Sequence, residues 1–221
     1  MNTRFRDRTE AGDLLAEKLV GYAHRSDVIV LALPRGGVPV AAQVAKKLNV
    51  PLDVFVVRKL GLPGQPELAM GAIATGGVRV LNGEVINSLR VPDDVINAVT
   101  AEEYHELQRR ERSYRDDLAP PQVEGKTVII VDDGIATGST MFAAIAALRQ
   151  LNANLIVVAT PTIAKSTFDY LRKHADRVVA VVAPEEFYGV GQWYEDFSQT
   201  TDEEVHELLG ITKHPAAPAM A

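Results

Sequence analysis

The chain has no cysteine among its 221 residues. That excludes disulfides, thiolate-held metals and a cysteine nucleophile. Aromatics are scarce, at 6% with a single tryptophan. No stretch approaches the roughly 20 apolar residues a membrane-spanning helix needs. The segment Met1 to Arg8 is polar, with Arg4, Arg6, Asp7 and Arg8, so no secretory signal is read there and a cytoplasmic location is expected. Basic charge is short as well. Lys and Arg number 23 against 29 Asp and Glu, a net charge of −6, which argues against general affinity for nucleic acid or an anionic membrane. The sequence shows no internal repeat. What remains is a globular composition, 47% hydrophobic and 24% charged, long enough to bury one substantial core.

Hydrophobic periodicity orders that core. Leu14, Leu15, Leu19 and Tyr22 recur at helical spacing over Thr9 to His24, with Thr9 as the N-cap. Val28 to Leu33 is a continuous apolar run, the pattern of a strand covered on both faces, and it stops at Pro34-Arg35-Gly36-Gly37. Val38 to Leu48 reads as a helix and Leu52 to Val57 as a second buried strand. From Gly61 to Gln122 the rhythm breaks. Gly61 to Pro66 reads as a loop, Met70 to Thr75 and Val78 to Leu81 as a hairpin turning at Gly76-Gly77, and Asn82-Gly83 as a further turn. Pro92 to Leu118 is helical and dense in Glu and Arg. It reads as a solvated helix laced by i,i+4 ion pairs, or as one that sends an arginine to a polyphosphate.

The alternation resumes at Thr127, with strands at Val128 to Val131, Leu155 to Thr160 and Val178 to Ala183, and helices at Thr140 to Leu151 and Ala164 to His174. The expected fold class is therefore α/β: one doubly wound, mainly parallel sheet flanked by helices. Residues 1–211 form a single domain in this reading, with a hairpin-plus-helix insertion at 61–122 and a small C-terminal hood at 184–211. The Pro/Ala tail, 212–221, reads as disordered. His24, His105, His174, His206 and His214 show no metal-ligand spacing and read as solvated.

The chemistry concentrates in Val128-Ile129-Ile130-Val131-Asp132-Asp133-Gly134-Ile135-Ala136-Thr137-Gly138-Ser139-Thr140. An apolar strand delivers two adjacent carboxylates to its C-terminal edge, where open α/β sheets bind ligands. A small, hydroxyl-rich turn then opens a helix, so Ala136, Thr137, Gly138, Ser139 and Thr140 form an anion nest at a helix N-terminus. A Walker A loop would need a lysine beside the serine or threonine, and a dinucleotide fold would need G-x-G-x-x-G; the chain has neither here. Carboxylates so close to an anion nest suit sugar hydroxyls, which donate to them while a phosphate sits in the nest. A ribose 5-phosphate satisfies both halves.

Asp132-Asp133-Gly134-Ile135-Ala136-Thr137-Gly138-Ser139-Thr140 resembles the phosphoribosyl pyrophosphate (PRPP) motif of the type I phosphoribosyltransferases. The order of elements from Val28 to Ala183 extends the resemblance, and Leu33 to Pro39 with Arg58 to Pro63 and Pro66 to Ile73 resembles one uncharacterised bacterial branch of that family. It implies that Asp132 and Asp133 hold the ribose hydroxyls and that residues 136–140 cradle the 5′-phosphate. Arg35, Gly36 and Gly37 resemble the pyrophosphate loop, where the family often carries a non-proline cis peptide. Arg58 and Lys59, expected at the end of the second strand, resemble a basic pair that meets pyrophosphate.

The implied reaction moves ribose 5-phosphate from PRPP to a nitrogenous base or similar small acceptor and releases pyrophosphate. Asp132, Asp133, Arg35 and Lys59 would be its catalytic residues, and Mg2+, held mainly through PRPP, its cofactor. Phe187, Tyr188, Trp193 and Tyr194 in the hood are candidates to stack on a base, with packing against the sheet as the plainer alternative. Ala136 stands where 6-oxopurine enzymes commonly carry an aspartate, which argues against a hypoxanthine-guanine enzyme. A homodimer is the family analogy. The alternative function is a PRPP-sensing regulator of nucleotide metabolism with little turnover, although no basic domain is present to serve it.

Overall fold

The computed structural model describes residues 4–115 and 119–210. After helix α1, Arg8–Glu17, and a single 3₁₀ turn, the chain runs through β1 (Val28–Ala32), α2 (Gly37–Leu48) and β2 (Leu52–Val54). It continues through β3 (Val57–Leu62), β4 (Gln65–Ala74), β5 (Val78–Leu81), α3 (Gly83–Leu89) and α4 (Asp93–Arg115). The last part holds β6 (Thr127–Val131), α5 (Ser139–Gln150), β7 (Leu155–Thr162), α6 (Lys165–Leu171), β8 (Arg177–Val182) and α7 (Asp202–Leu208).

Five strands form a parallel sheet in the order β2-β1-β6-β7-β8. All residues of β1 and β6 are buried, as their unbroken apolar runs require in a sheet covered on both faces. Val28, Val30, Ile129, Val131 and Val157 point to one face, where they meet Leu15 of α1, Val40 and Val44 of α2, and Val205 of α7. Ile29, Leu31, Val128, Ile130 and Val158 point to the other, onto Met141, Ile145 and Leu148 of α5 and Leu171 of α6. The period-2 alternation of a strand thus becomes two separate cores. The register Ala32↔Val131 brings the ends of β1 and β6 level, which decides where the site forms.

Several expectations are corrected. The apolar run from Leu52 does not stay in one strand to Val57. It leaves the main sheet after Val54 and starts a second sheet, an antiparallel one in the order β3-β4-β5. At the crossing, Thr75 Oγ1 accepts from the backbone N–H of Val56 at 2.9 Å, and Val56 O accepts from Thr75 N. Gly61 to Pro66 is not a loop: β3 and β4 flank a tight turn at Pro63-Gly64. The pairing jumps from Leu62↔Gln65 to Gly61↔Ala69, so Pro66 falls in a bulge where no ladder N–H is asked of it. Arg58 and Lys59 therefore lie inside β3 rather than at the end of β2. The N-cap of α1 is Asp7, whose carboxylate accepts from Glu10 N, and not Thr9. Asn82 caps α3 through its side chain. His206 is buried rather than solvated and bonds to the carbonyl of Ser113. The tail at 212–221, His214 and the expected helix end at Leu118 lie outside the described residues.

The crossing between sheets gives a stability prediction. Thr75→Val removes the acceptor for a buried N–H and should cost about 1–3 kcal/mol. Urea unfolding would show it as a lower midpoint with an unchanged slope.

Candidate ligand site

The parallel strands β1 and β6 are neighbours, and each ends in a glycine-bearing turn that opens a helix. Gly36 is the N-cap of α2 and Gly138 that of α5; neither helix has a side-chain cap or an acidic residue in its first turn. Two helix N-termini therefore sit side by side at one sheet edge without side-chain caps, an arrangement that favours anions, although at α2 the N–H groups of Gly37 and Val38 already donate to Leu33 O and Arg35 O at 3.1 and 3.0 Å. Gly138 adopts φ 76°, a left-handed conformation that favours glycine. The hydroxyls of Thr137 and Ser139 lie 3.1 Å apart, and Thr167 Oγ1 pins the loop by donating to Ala136 O at 2.5 Å. Ala136, Thr137, Ser139 and Thr140 are exposed.

Between the two anion seats lie Asp132 and Asp133. A Cβ on Gly36 would come within 2.0 Å of Asp133 Oδ2, and one on Gly37 within 2.7 Å of Val131 O. The β1 turn thus lies directly against the acidic pair, and both of its glycines are required by that contact. The Pro34–Arg35 peptide bond is cis, as the resemblance implies. Burial and the neighbouring Asp133 charge push the Asp132 carboxyl well above the usual carboxylate range. Burial also pushes Asp133 up, and the Arg8 guanidinium pulls it partly back.

Arg8 belongs to none of the motifs read from the sequence. Its Nε and Nη2 donate to Asp133 Oδ2 at 2.9 and 2.8 Å. Its one visible signal is a cation at the first position of a helix, where the macrodipole opposes it. Tyr194 Oη donates to the backbone carbonyl of Asp133 at 2.6 Å, and burial raises its hydroxyl above the usual phenol range.

The remaining predicted residues divide. Arg35 Nη1 lies 3.5 Å from Asp202 Oδ1, a half-exposed pair between the β1 turn and α7. Glu106 of α4 takes both Arg109 and Arg110, which pull its carboxyl down to about 2. This is the solvated-helix reading for those two, although Arg109 lies within electrostatic reach of Asp202. Arg115 is buried against Asp53 instead. Arg58 is held by Glu103 of α4 at 2.7 Å and is not brought to the acidic pair. Among the described residues Lys59 has only a loose partner, the exposed Glu67 at 3.7 Å. It borders a cavity of about 670 Å³ shared with Ser139 and Phe142.

In the hood, Tyr194 is 1% exposed and packs between Phe5 and Phe197. A ring covered in this way offers no free face to a flat base, so its stacking role is corrected to packing. Phe187 stacks on Trp193, itself largely buried. Tyr188 and the remaining edge of Trp193 border a cavity of about 430 Å³ together with Arg4 and Glu186.

Residues 7–195 match the phosphoribosyl transferase domain. The chain belongs to that family. Two Mycobacterium tuberculosis proteins, "Putative phosphoribosyl transferase MT0597" of strain CDC 1551 and "Putative phosphoribosyl transferase Rv0571c" of strain H37Rv, are each 46% identical over 217 residues. Those alignments cover 98% of this chain and 49% of each relative, so the chain spans about half the length of the curated relatives it matches. The crystal structure of TT1426 from Thermus thermophilus has a TM-score of 0.82 at 39% identity, covering 93% of this chain and 97% of that one. Among the described residues no helix is long and apolar enough to cross a membrane.

The raised Asp132 carboxyl carries a sign. A carboxyl whose folded pKa lies above its unfolded value destabilises the fold once ionised, and the cost vanishes below the ordinary carboxylate range. Asp132→Asn keeps an acceptor for the Asp133 backbone N–H, now bonded to Asp132 Oδ1 at 2.9 Å. Calorimetric melting should therefore rise by a few degrees at neutral pH, with the gain shrinking as pH falls towards the ordinary carboxylate range. A lower melting temperature at neutral pH would show that Asp132 is not strained by its charge.

Proposed function

We propose that this phosphoribosyltransferase-family chain transfers ribose 5-phosphate from PRPP to a nitrogenous base or similar small acceptor, releasing pyrophosphate. The observation that carries this reading is the contact of the Gly36-Gly37 turn with the Asp132–Asp133 pair. It sets two helix N-termini on either side of two carboxylates. A ligand suited to that layout has an anionic group at each end and donor hydroxyls between them. In this reading the 5′-phosphate rests on residues 136–140, the ribose hydroxyls donate to Asp132 and Asp133, and pyrophosphate meets Arg35, the Gly36 amide and Lys59; the Gly37 N–H is held by Leu33 O. The regulator alternative gains no support from the fold or the relatives.

The acceptor nitrogen would attack C1 with its lone pair. The C1–O bond to pyrophosphate breaks, its electron pair leaves on oxygen, and the acceptor nitrogen gives up a proton. Positive charge develops on the ribose ring as the bond breaks, as in other glycosyl transfers. The two carboxylates lie on that side, while Arg35 and the Gly36 N–H face the growing negative charge. Magnesium would neutralise pyrophosphate charge. Among the described residues no cluster of three acidic or histidine side chains forms a protein cage. A hard cation would there be held by the ligand's oxygens and water, with little from protein carboxylates. Tyr188 of the hood cavity is the stacking candidate for the acceptor, since Trp193 offers only an edge.

Isothermal calorimetry with PRPP and magnesium tests the reading. Binding by the native chain, weakened at least ~100-fold in Asp132→Asn/Asp133→Asn, is expected from losing two charge-assisted hydrogen bonds. No binding by the native chain at millimolar PRPP would end it. Asp202→Asn releases Arg35 from a half-exposed pair of the kind worth about 0–1 kcal/mol, so PRPP should bind up to about 5-fold more tightly. Weaker binding there would show that Asp202 holds Arg35 in place for the ligand rather than away from it.

A further inference from the structure

Two adjacent carboxylates at a buried strand end pose a charge problem that the motif itself does not solve. Each makes the other harder to ionise, and a protonated carboxyl donates a hydrogen bond where a ribose hydroxyl needs an acceptor. The ligand proposed above is itself a polyanion. A counter-charge at the pair is therefore a functional need, and none of Arg35, Arg58 or Lys59 supplies it within bonding distance.

Arg8 does. The Arg8 and Asp133 side chains are only 11% and 13% exposed. Both contacts fall on Oδ2, so Oδ1 stays outside the ion pair. The third guanidinium nitrogen, Nη1, donates to Ser198 O at 2.7 Å, and the group lies 4.2 Å from the centroid of the Phe197 ring. Around it the N-terminal arm and the hood are laced together. Phe5 N donates to Trp193 O, and Glu195 N and Asp196 N donate to Phe5 O and Arg6 O, each at 2.8 Å. An arginine at the first position of a helix works against the helix dipole. Local preference overruled in this way is expected at functional or strained sites.

We propose that Arg8 is a positioning residue of the ribose site, keeping Asp133 a hydrogen-bond acceptor and making the docking of the 193–198 segment a condition for ligand binding. The inference rests on the reading of Asp132 and Asp133 as hydroxyl acceptors. The charged and titratable groups facing Asp133 are Arg8 from α1, Asp132 beside it in the chain and Tyr194 from the hood, with Asp196 facing Arg8 from beyond.

The test uses the full chain and Arg8→Gln, with Arg8→Lys as the conservative variant. Carbon-13 NMR follows the Asp133 carboxyl, assigned by its loss in Asp133→Asn. Calorimetry with PRPP and magnesium runs in parallel across the range from mildly acid to mildly alkaline pH. Arg8→Gln should move the Asp133 titration up, because the guanidinium that favours its charged form is gone. It should weaken PRPP at least ~10-fold at the acid end, with affinity recovering as pH rises. Arg8→Lys should restore part of both; if Arg8→Gln does not fold, the same shifts, smaller, are read from Arg8→Lys. An unmoved Asp133 titration overturns the inference, as does a PRPP affinity and pH profile identical to the native chain. A native chain that fails to bind PRPP, but whose Asp133 titration still depends on Arg8, overturns the proposed function and leaves the charge-holding role of Arg8 standing.

Discussion

The constraint on which the site depends is electrostatic: two carboxylates must coexist at a buried strand end between two helix N-termini. Helix N-termini favour negative charge, and this helps to explain why the acidic pair is tolerated there. The same field attracts the phosphate groups that would compete with it. A layout with anion seats outside and carboxylates inside selects a ligand with the reverse pattern, hydroxyl donors flanked by phosphates. The sheet enforces this spacing. Because β1 and β6 are paired in parallel with Ala32 opposite Val131, their turns emerge level, and glycine at 36 and 37 lets one turn lie on the carboxylates of the other. Side chains at those glycines would push the seats apart before they touched any ligand.

Stability and function pull in opposite directions here. Asp132 is held where its charge is disfavoured, which makes sense for a group that gains partners only when a ligand arrives. Natural proteins keep such local conflicts where they bind or react. The protein offsets part of the conflict with Arg8 and leaves the rest. Arg35, by contrast, sits in a half-exposed pair with Asp202, a contact weak enough to exchange. One arginine is held in place and the other is free to turn, and their different burial decides which is which.

The α/β alternation was legible because each buried strand of the main sheet is a continuous apolar run and each helix follows at a short distance. The acidic strand end and the 136–140 loop were legible for the same reason, since their parts are contiguous in sequence, whereas the cis bond at Pro34–Arg35 came only with the family resemblance. The second sheet was obscured because Gly61, Pro63, Gly64 and Pro66 carry the composition of a loop, while a bulge lets the ladder pass around Pro66. Arg58 was misplaced by the same error of strand boundary. Aromatic clustering at 187–197 showed that something packs there, but burial alone separates Tyr194, enclosed by Phe5 and Phe197, from Tyr188, 86% exposed. Arg8 could not be read from any motif, since its partner lies 125 residues away.

That separation has a consequence for how the site comes together. The anion seats belong to β1, β6 and the helices after them, on a core that α1 and α7 help to build. The counter-charge of Asp133 arrives from α1, and its anchors come from residues 190 positions further on. Contacts this distant in sequence are entropically costly to close, and the arm and the 193–198 segment close over the longest stretch of chain in the site. A ligand that engages only the finished pair would then favour the docked arm and hood over any partly opened state, by mass action on the folded form. Ligand affinity and the seating of both arms are linked through one guanidinium, and each strengthens the other by the same amount.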